Sequence, residues 1–348
     1  MVSRARGSKL VATALALGSA IAGPGIAGEI GHYNPAVPSI RDFAMPEPGF
    51  YGVLYNYFYS TDRLNNEDGD KIDSVTISPG PGPGLTLDVD VDVDVYAVVP
   101  TLIWVSDWEV LGVRYGAFIA PTFANSSVSA ALSTTRGQGR NADQDSFGVG
   151  DLFVQPVWLG WTNPHVDAAL GYGFYAPIGK YDTETVTLPI VGPITTESSD
   201  NIGLGFWTHQ LQGAVTWYPW EHRGTAAVAA LTWEIHGEKE DFDLTPGQNL
   251  TLNWGISQYL PLDSEKSLLL ELGPTGYSSW QITDDHGSDA RNPDVHDEVH
   301  AVGGQLGLTY VPWNGALNAH YFYEFSAQDR FQGHAFGLNL AIKLGPTP

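Results

Sequence analysis

Asp88, Asp90, Asp92 and Asp94 form the most regular group of side chains in the sequence that could do chemistry. Valines separate them, and successive side chains of a strand point to opposite faces, so the alternation predicts a β-strand with all four carboxylates on one face. Such a row could attract cations or hold calcium together with the acidic loop before it. It could also be a solvated face that discourages edge pairing, which is the interpretation we favour.

Motifs for metal binding and catalysis are weak. Aligning Gly69 with the invariant glycine of a calcium loop places Leu64 and Val75 at ligand positions, which they cannot fill. His296 and His300 would lie about 13 Å apart on a strand, too far to share a metal. The sequence has no Gly-x-Ser-x-Gly elbow and no His-Glu-x-x-His pair. We therefore expect no catalysis, no metal and no cofactor.

Composition and the amino terminus indicate an exported protein. The chain has 348 residues, no cysteine and a formal charge of −23, which does not suit a nucleic-acid partner. Residues 1–27 combine Arg4, Arg6 and Lys9 with an apolar run over residues 10–21, and this predicts a cleaved signal peptide. Without cysteine, the exported fold must be held by hydrogen bonds and packing.

Alternating polarity predicts strands along the rest of the chain. In residues 249–260 and 334–344, one face is apolar over about ten residues, the length of a tilted transmembrane strand. The parity changes around His209 and Gln210, which predicts a bulge there. The predicted strands cover residues 49–60, 85–105, 108–122, 146–161, 166–178, 201–217, 224–236, 249–260, 267–282, 298–311, 316–326 and 331–344.

The connections between these strands alternate in length. Short ones fall at 106–107, 162–165, 219–223, 261–266 and 312–315, and longer polar ones at 65–84, 125–145, 179–200, 237–248 and 284–297. Tryptophans gather at the short connections, as an aromatic girdle would: Trp104, Trp108, Trp158, Trp161, Trp217, Trp220 and Trp313. We predict an all-β fold, an antiparallel up-and-down transmembrane barrel of about twelve strands over residues 49–348, with short periplasmic turns and longer external loops. A soluble sandwich would explain neither the loop lengths nor the long strands.

Placing the apolar faces on lipid leaves a set of charged residues pointing inward. They could form a selectivity lining or a network of ion pairs that braces the barrel, and we favour bracing. Four aromatic residues on the inward parity offer stacking surface for an apolar cargo. The charged candidates are Arg114, Asp151, Asp167, Glu234, Glu271, His320, Glu324 and Lys343, and the aromatic ones are Phe118, Tyr175, Tyr259 and Phe322.

Residues 28–48, between the signal peptide and the first strand, contain four prolines and the pair Arg41 and Asp42. This density of proline does not allow regular structure. The segment could enter the periplasmic mouth as a plug or gate, with Arg41 and Asp42 as its polar contacts. It could equally pack beneath the barrel as an ordered leader.

Several stretches resemble the outer-membrane family named for the meta-cleavage pathway of phenol degradation. They are GHYNP (31–35), SIRD (39–42), GDLFVQP (150–156), GLGFW (203–207) and NWGISQY (253–259). The resemblance implies an outer-membrane transporter or channel for small hydrophobic, often aromatic, compounds in a Gram-negative bacterium. A related branch is associated with sphingosine-like lipids. The carboxyl end, which runs past Leu344 into GPTP, departs from the aromatic terminus common in such barrels.

We accordingly expect a monomeric barrel in outer-membrane lipid that takes up small hydrophobic or aromatic solutes by facilitated diffusion. The alternative is a barrel with a closed lumen and a structural or lipid-binding role. A lumen lined by aromatic residues would favour transport, whereas a lumen filled by interlocked charges would favour the structural role.

Overall fold

The computed structural model describes residues 30–77, 85–134, 139–188, 192–198, 200–290 and 292–346. The predicted signal peptide, residues 1–27, lies outside them. The strands are β1 (Gly49–Thr61), β2 (Ser74–Ile77), β3 (Leu85–Val110), β4 (Val113–Ala120), β5 (Phe123–Thr134), β6 (Gly139–Val149), β7 (Leu152–Thr162), β8 (Val166–Ala176), β9 (Thr183–Leu188), β10 (Gly192–Glu197), β11 (Thr208–Trp217), β12 (Thr225–His236), β13 (Asn249–Pro261), β14 (Leu268–Gln281), β15 (Glu298–Tyr310), β16 (Gly315–Gln328) and β17 (His334–Gly345).

Twelve antiparallel strands close into a barrel, which confirms the predicted fold class. The order is β1-β17-β16-β15-β14-β13-β12-β11-β8-β7-β4-β3, and β1 also pairs with β3 from Gly49↔Val105 to Thr61↔Val93. Closure gives each of these strands a neighbour on both sides, as a bilayer requires of a spanning sheet. We call the end with the short hairpins the turn end and the opposite end the loop end. Within the described residues, no helix has the length and hydropathy to cross a membrane.

The aspartate strand, β3, is 26 residues long and extends beyond the barrel at the loop end. Its extension pairs with β2 on one side and with β5 on the other, and β6 adds to β5. The predicted loop 125–145 is therefore wrong: its described part forms the hairpin of β5 and β6. The predicted loops 65–84 and 179–200 likewise contain β2 and the pair β9 and β10. Alternation does not reveal these strands, because they are short or rich in small and polar residues and lack a long apolar face; pairing with a neighbouring strand stabilises them.

The four aspartates of β3 are exposed on the outer face of this extension. They share their parity with Tyr96 and Leu102, which are 38% and 49% exposed on the barrel wall below. Val93 and Ala97, on the opposite parity, are buried. The carboxylates thus face away from the lumen, in line with a solvated strand face.

Two boundary predictions are wrong. The first hairpin turns at Leu111 and Gly112 and not at residues 106–107. Leu111 and Gly112 adopt positive φ (55° and 78°), as tight two-residue hairpins require. An irregularity between Val105 and Glu109 absorbs the change of parity in β3. The bulge predicted at His209 and Gln210 is also absent, since β11 begins only at Thr208 and pairs regularly along its length.

Apolar residues cover the outside of the barrel and polar residues its inside. Leu54, Leu211, Leu306 and Leu340 are among the large apolar side chains that stay exposed, whereas the inward positions of the same strands are mostly buried and hydrophilic. Five of the turn-end tryptophans are at least 39% exposed: Trp108, Trp161, Trp217, Trp220 and Trp313. Trp158 is 6% exposed and points inward, so its assignment to the girdle is wrong.

Candidate functional site

Residues 30–48, which we call the leader, occupy the lumen of the barrel. Met45 packs with Val105 and Trp158 near the turn end, where β1 begins. Ile40 and Phe43 pack against Ala214, Val228 and Ala230 of β11 and β12. These contacts bury Ile40, Phe43 and Met45, although the sequence of the leader has no regular periodicity.

Gly160 on β7 shows how closely the leader approaches the wall. A Cβ atom at this position would lie 2.8 Å from the Met45 sulfur and 2.9 Å from the Met45 Cβ. Such contacts are well inside van der Waals distance, so a larger residue here would displace Met45.

Arg41 anchors the leader toward the turn end. Its Nε donates to Glu271 Oε1 at 2.8 Å and to Ser257 Oγ at 2.9 Å, while its two terminal nitrogens donate to the carbonyls of Arg223 and Gly224. The guanidinium also lies 4.0 Å from the ring centroid of Tyr259. Arginine suits this position because its planar fork can serve several acceptors at once.

Asp42 supports the leader differently. Its carboxylate accepts the backbone N–H of Ser39 at 2.8 Å, which closes a turn within the leader itself. The next backbone N–H along, that of Ile40, donates to Gln305 on β15 at 2.8 Å, and Gln305 in turn donates to Glu271. Arg41 and Ile40 thus share the single buried carboxylate of Glu271, directly and through Gln305.

The middle of the leader is held through its backbone. Glu234 accepts the N–H of Tyr33 at 2.9 Å, and His320 Nε2 lies 2.8 Å from the carbonyl oxygen of Ala36. Asn253 donates to the Pro35 carbonyl and Asn339 to the Val37 carbonyl. Prolines leave these carbonyls without helical or sheet partners, and the inward amides of the barrel satisfy them.

At the loop end, Asp151 joins three segments. Its two oxygens accept the backbone N–H groups of Gly179 and Leu204, at 2.9 and 2.8 Å, and His32 Nε2 lies 2.9 Å away. Thr208 Oγ lies 2.8 Å from the other ring nitrogen of His32. The leader is therefore tied to the external loops as well as to the wall.

The remaining charged candidates lie away from the leader. Glu324 accepts hydrogen bonds from the hydroxyls of Tyr59 and Tyr277 and from the N–H of Gly333, so it braces strands and a loop at the loop end. Asp167 pairs with Arg223 and accepts from the Tyr218 hydroxyl at the turn end. Arg114 and Lys343 are half-buried at the turn end, and the Lys343 ammonium lies 5.5 Å from the Tyr51 ring.

One side of the lumen carries a continuous series of rings. Consecutive ring centroids are 5.8 Å apart from Trp158 to Phe118, 5.6 Å to Phe153, 4.5 Å to Tyr175, 4.7 Å to His32 and 4.9 Å to Phe206. We call these six residues the aromatic track. It runs from the turn end to the loop end, where Phe206 is 1% exposed.

Two of the four predicted aromatic candidates, Phe118 and Tyr175, belong to the aromatic track. Tyr259 lies under Arg41 instead, and Phe322 packs with Tyr277 in a separate buried cluster. Sequence reasoning missed Phe153 and Trp158, which are five positions apart on β7. An irregularity between Val154 and Val157 brings both onto the inner face, so simple alternation could not identify them.

External loops close over the track. Lys239 pairs with Glu197, and its ammonium lies 5.9 Å from the Phe206 ring. In the same loop as Lys239, the Asp243 carboxylate accepts the hydroxyl and the N–H of Ser288 from the loop before β15, and these hydrogen bonds hold the pKa of Asp243 below the usual range. Thr245 pairs with His286 between the same two loops.

Solved structures resemble this chain at low sequence identity. The COG4313 outer membrane channel of Pseudomonas putida F1 superposes with a TM-score of 0.54 and 14% identity, covering 86% of this chain and 97% of that one. The beta domain of the Bordetella autotransporter BrkA gives a TM-score of 0.48 and 11% identity, covering 86% of this chain and all of that one. The CymD monoaromatic hydrocarbon channel gives 0.38 and 10%, covering 92% and 95%. Comparison with curated proteins gives no match.

A family model describes most of the barrel. The match covers residues 61–340, from the end of β1 to β17. The chain belongs to the family that is named for the MetA-pathway of phenol degradation, and its fold is that of an outer-membrane β-barrel.

Proposed function

We propose that the protein is an outer-membrane channel that takes up small hydrophobic or aromatic solutes by facilitated diffusion. The aromatic track is the observation that carries this proposal. Rings 4.5–5.8 Å apart offer a solute a succession of stacking partners of similar strength, so it can move from one ring to the next without crossing open water. The opposite wall holds the leader through amides and carboxylates.

The leader has to shift before a solute can follow the track. His32 is itself one of the six track residues, and Met45 packs against Trp158 at the other end. The backbone groups of residues 33–37 are held by single hydrogen bonds to separate side chains, which water can replace with little loss of energy. We therefore assign residues 28–48 the role of a plug, with Arg41 as its latch and Asp42 as the support of its turn.

Liposome swelling with the purified mature protein tests the proposal. Phenol and benzoate should enter faster than a sugar of similar size, and deletion of residues 30–48 behind an intact signal sequence should raise the rates for all three solutes. Equal rates for aromatic and sugar solutes in the intact protein would exclude a selective aromatic path.

The closed-lumen alternative also has an observation in its favour. Asp297 is 1% exposed and pairs with Arg330 at 2.6 Å, and Glu324 is held by the hydroxyls of the buried Tyr277 and the half-buried Tyr59 nearby. Such interlocked groups brace a barrel without leaving a path. If no solute enters through folded protein, with or without the leader, the structural role is the better account.

A further inference from the structure

A chain of hydrogen bonds crosses the loop end of the lumen from Asp151 to Arg330. Asp151 contacts His32, Thr208 lies between His32 and His236, and Asn249 lies between His236 and Asp297, which pairs with Arg330. In that order the separations are 2.9, 2.8, 2.7, 2.8, 3.3 and 2.6 Å.

At the Arg330 end of this series, the donor and acceptor of each hydrogen bond are fixed. Asp297 is ionised beside Arg330, so it can only accept, and Asn249 must turn its NH₂ group toward it. The Asn249 carbonyl oxygen then faces His236, whose Nε2 must carry a proton in order to donate. If His236 is neutral, its Nδ1 has only a lone pair to offer Thr208.

At the Asp151 end of the series, the donor and acceptor of each hydrogen bond are fixed in the same way. Both oxygens of Asp151 accept backbone N–H groups, from Gly179 and Leu204, and this stabilises the ionised carboxylate. His32 Nε2 therefore donates to Asp151. If His32 is neutral, its Nδ1 also has only a lone pair to offer Thr208.

Thr208 cannot satisfy two acceptors, because a hydroxyl has one proton to donate. One imidazole must therefore carry a second proton for every contact to be made. His32 is the better place, since its Nε2 contacts the ionised Asp151, whereas the two ring nitrogens of His236 contact the neutral Asn249 and Thr208. We propose that protonation of His32 is a switch that locks the loop end of the leader into the barrel.

Other groups around His32 are consistent with a positive charge there. Glu234 of β12 accepts the N–H of the neighbouring residue, Tyr33. Tyr175 of β8 stacks on the ring, and Phe206 contacts it edge-on. Lys239, on the far side of Phe206, is paired with Glu197.

When His32 loses its proton, two acceptors compete for one hydroxyl proton and one buried contact is lost. The outer end of the leader should then detach more often, by roughly 5- to 100-fold. In the terms of the proposed function, this would open the loop end of the aromatic track as pH rises. The switch rests on the proposed role of the leader only for that last step.

Because the chain has no cysteine, a spin label at Ile30→Cys is unique, and its mobility reports docking of the leader without any transport assay. Ile30 is 45% exposed at the end of the described leader. The label should be immobile at pH 5 and mobile at pH 9. His32→Gln and Thr208→Val should each remove this pH dependence. The control is Thr251→Val, which removes a different buried hydroxyl, one that bonds Ser279, and this variant should keep the pH dependence.

Nitrogen NMR of labelled histidine gives a second reading. The His32 signals, identified by their loss in His32→Gln, should show two protonated ring nitrogens at pH 5 and one at pH 9. Heat-modifiable electrophoretic mobility establishes that each variant is a folded barrel. The switch is excluded if the label mobility does not change with pH, or if His32→Gln leaves the change intact. Failure of solute uptake with an intact pH response would instead count against the proposed channel alone.

Discussion

At the scale of single residues, the lumen is a set of paired requirements. Arg41 is 15% exposed at its side chain and Glu271 is 2% exposed, so each charge depends on the other for its solvation. Burying a charge is tolerable only where a partner and hydrogen bonds replace water. The strongest effects of substitution should therefore come from removing one member of a pair.

Glu271→Gln should free the part of the leader around Arg41, toward the turn end. It leaves the Arg41 guanidinium without its buried counter-charge, which should reduce the free energy of unfolding by about 3 kcal/mol and raise single-channel conductance. Urea unfolding and planar-bilayer recording measure the two effects. Glu238→Gln, at an exposed loop position, is the matched control, and equal behaviour of the two variants would contradict the latch assignment.

Phe153→Ala should slow the uptake of aromatic solutes. It removes the ring that links Phe118 to Tyr175, and a stacking contact is worth about 0.5–1.5 kcal/mol, so we expect a roughly 2- to 10-fold decrease in phenol entry. The control, Phe147→Ala, removes a 75% exposed ring outside the lumen. An equal decrease in sugar entry would mean that Phe153 shapes the barrel and does not guide aromatic solutes.

At the scale of elements, strands fix position and loops carry the adjustable contacts. β3 shows that strands fix position, since its part toward the turn end belongs to the barrel wall and its part toward the loop end pairs with the external strand β5. The external loops over the aromatic track show that loops carry adjustable contacts, because side-chain hydrogen bonds join these loops to one another and they are not part of the barrel's backbone ladder.

The contact of Asp243 with Ser288 should depend on pH. The pKa of Asp243 is lowered in the folded state, so the contact contributes stability above the ordinary pKa of an aspartate and loses it as pH falls through the lowered value. The protection factor of the Ser288 amide, which is its hydrogen-exchange rate relative to an unstructured peptide at the same pH, should be high at neutral pH and fall in strong acid. Asp243→Asn should give low protection at both pH values, while Asp294→Asn, at an exposed loop position, should not alter the protection.

At the scale of the whole molecule, the barrel and the leader are separable. The barrel is closed by backbone ladders that do not involve the leader, whereas the leader has no ladder of its own. The leader should therefore add stability to a structure that already exists without it.

Deletion of residues 30–48 should leave a folded but weaker barrel. Ile40, Phe43 and Met45 are each at least 92% buried, and burying such side chains is worth about 1.5–3 kcal/mol each, so a loss of roughly 5 kcal/mol is expected. Heat-modifiable mobility and urea unfolding measure this. Complete failure of the deletion variant to fold would show that the leader is part of the barrel's core.

The amino-acid sequence is sufficient to predict the transmembrane barrel, the number of its strands and which face of each regular strand is apolar. These follow from side-chain alternation and strand length, which are local properties. It also marked Glu234, Glu271 and His320 as inward, because parity along a regular strand is sufficient for that.

The contacts of those residues follow from the three-dimensional structure and not from the local sequence pattern. The path of the leader depends on hydrogen bonds between residues more than two hundred positions apart, such as Arg41 with Glu271 and Tyr33 with Glu234, and no local pattern encodes such pairs. The aromatic track needed a local irregularity in β7 to bring Phe153 and Trp158 to one face. The hairpin of β5 and β6 exists because β3 offers it a partner. Long-range pairing and small departures from regular alternation placed the chemistry inside a barrel that alternation alone could predict.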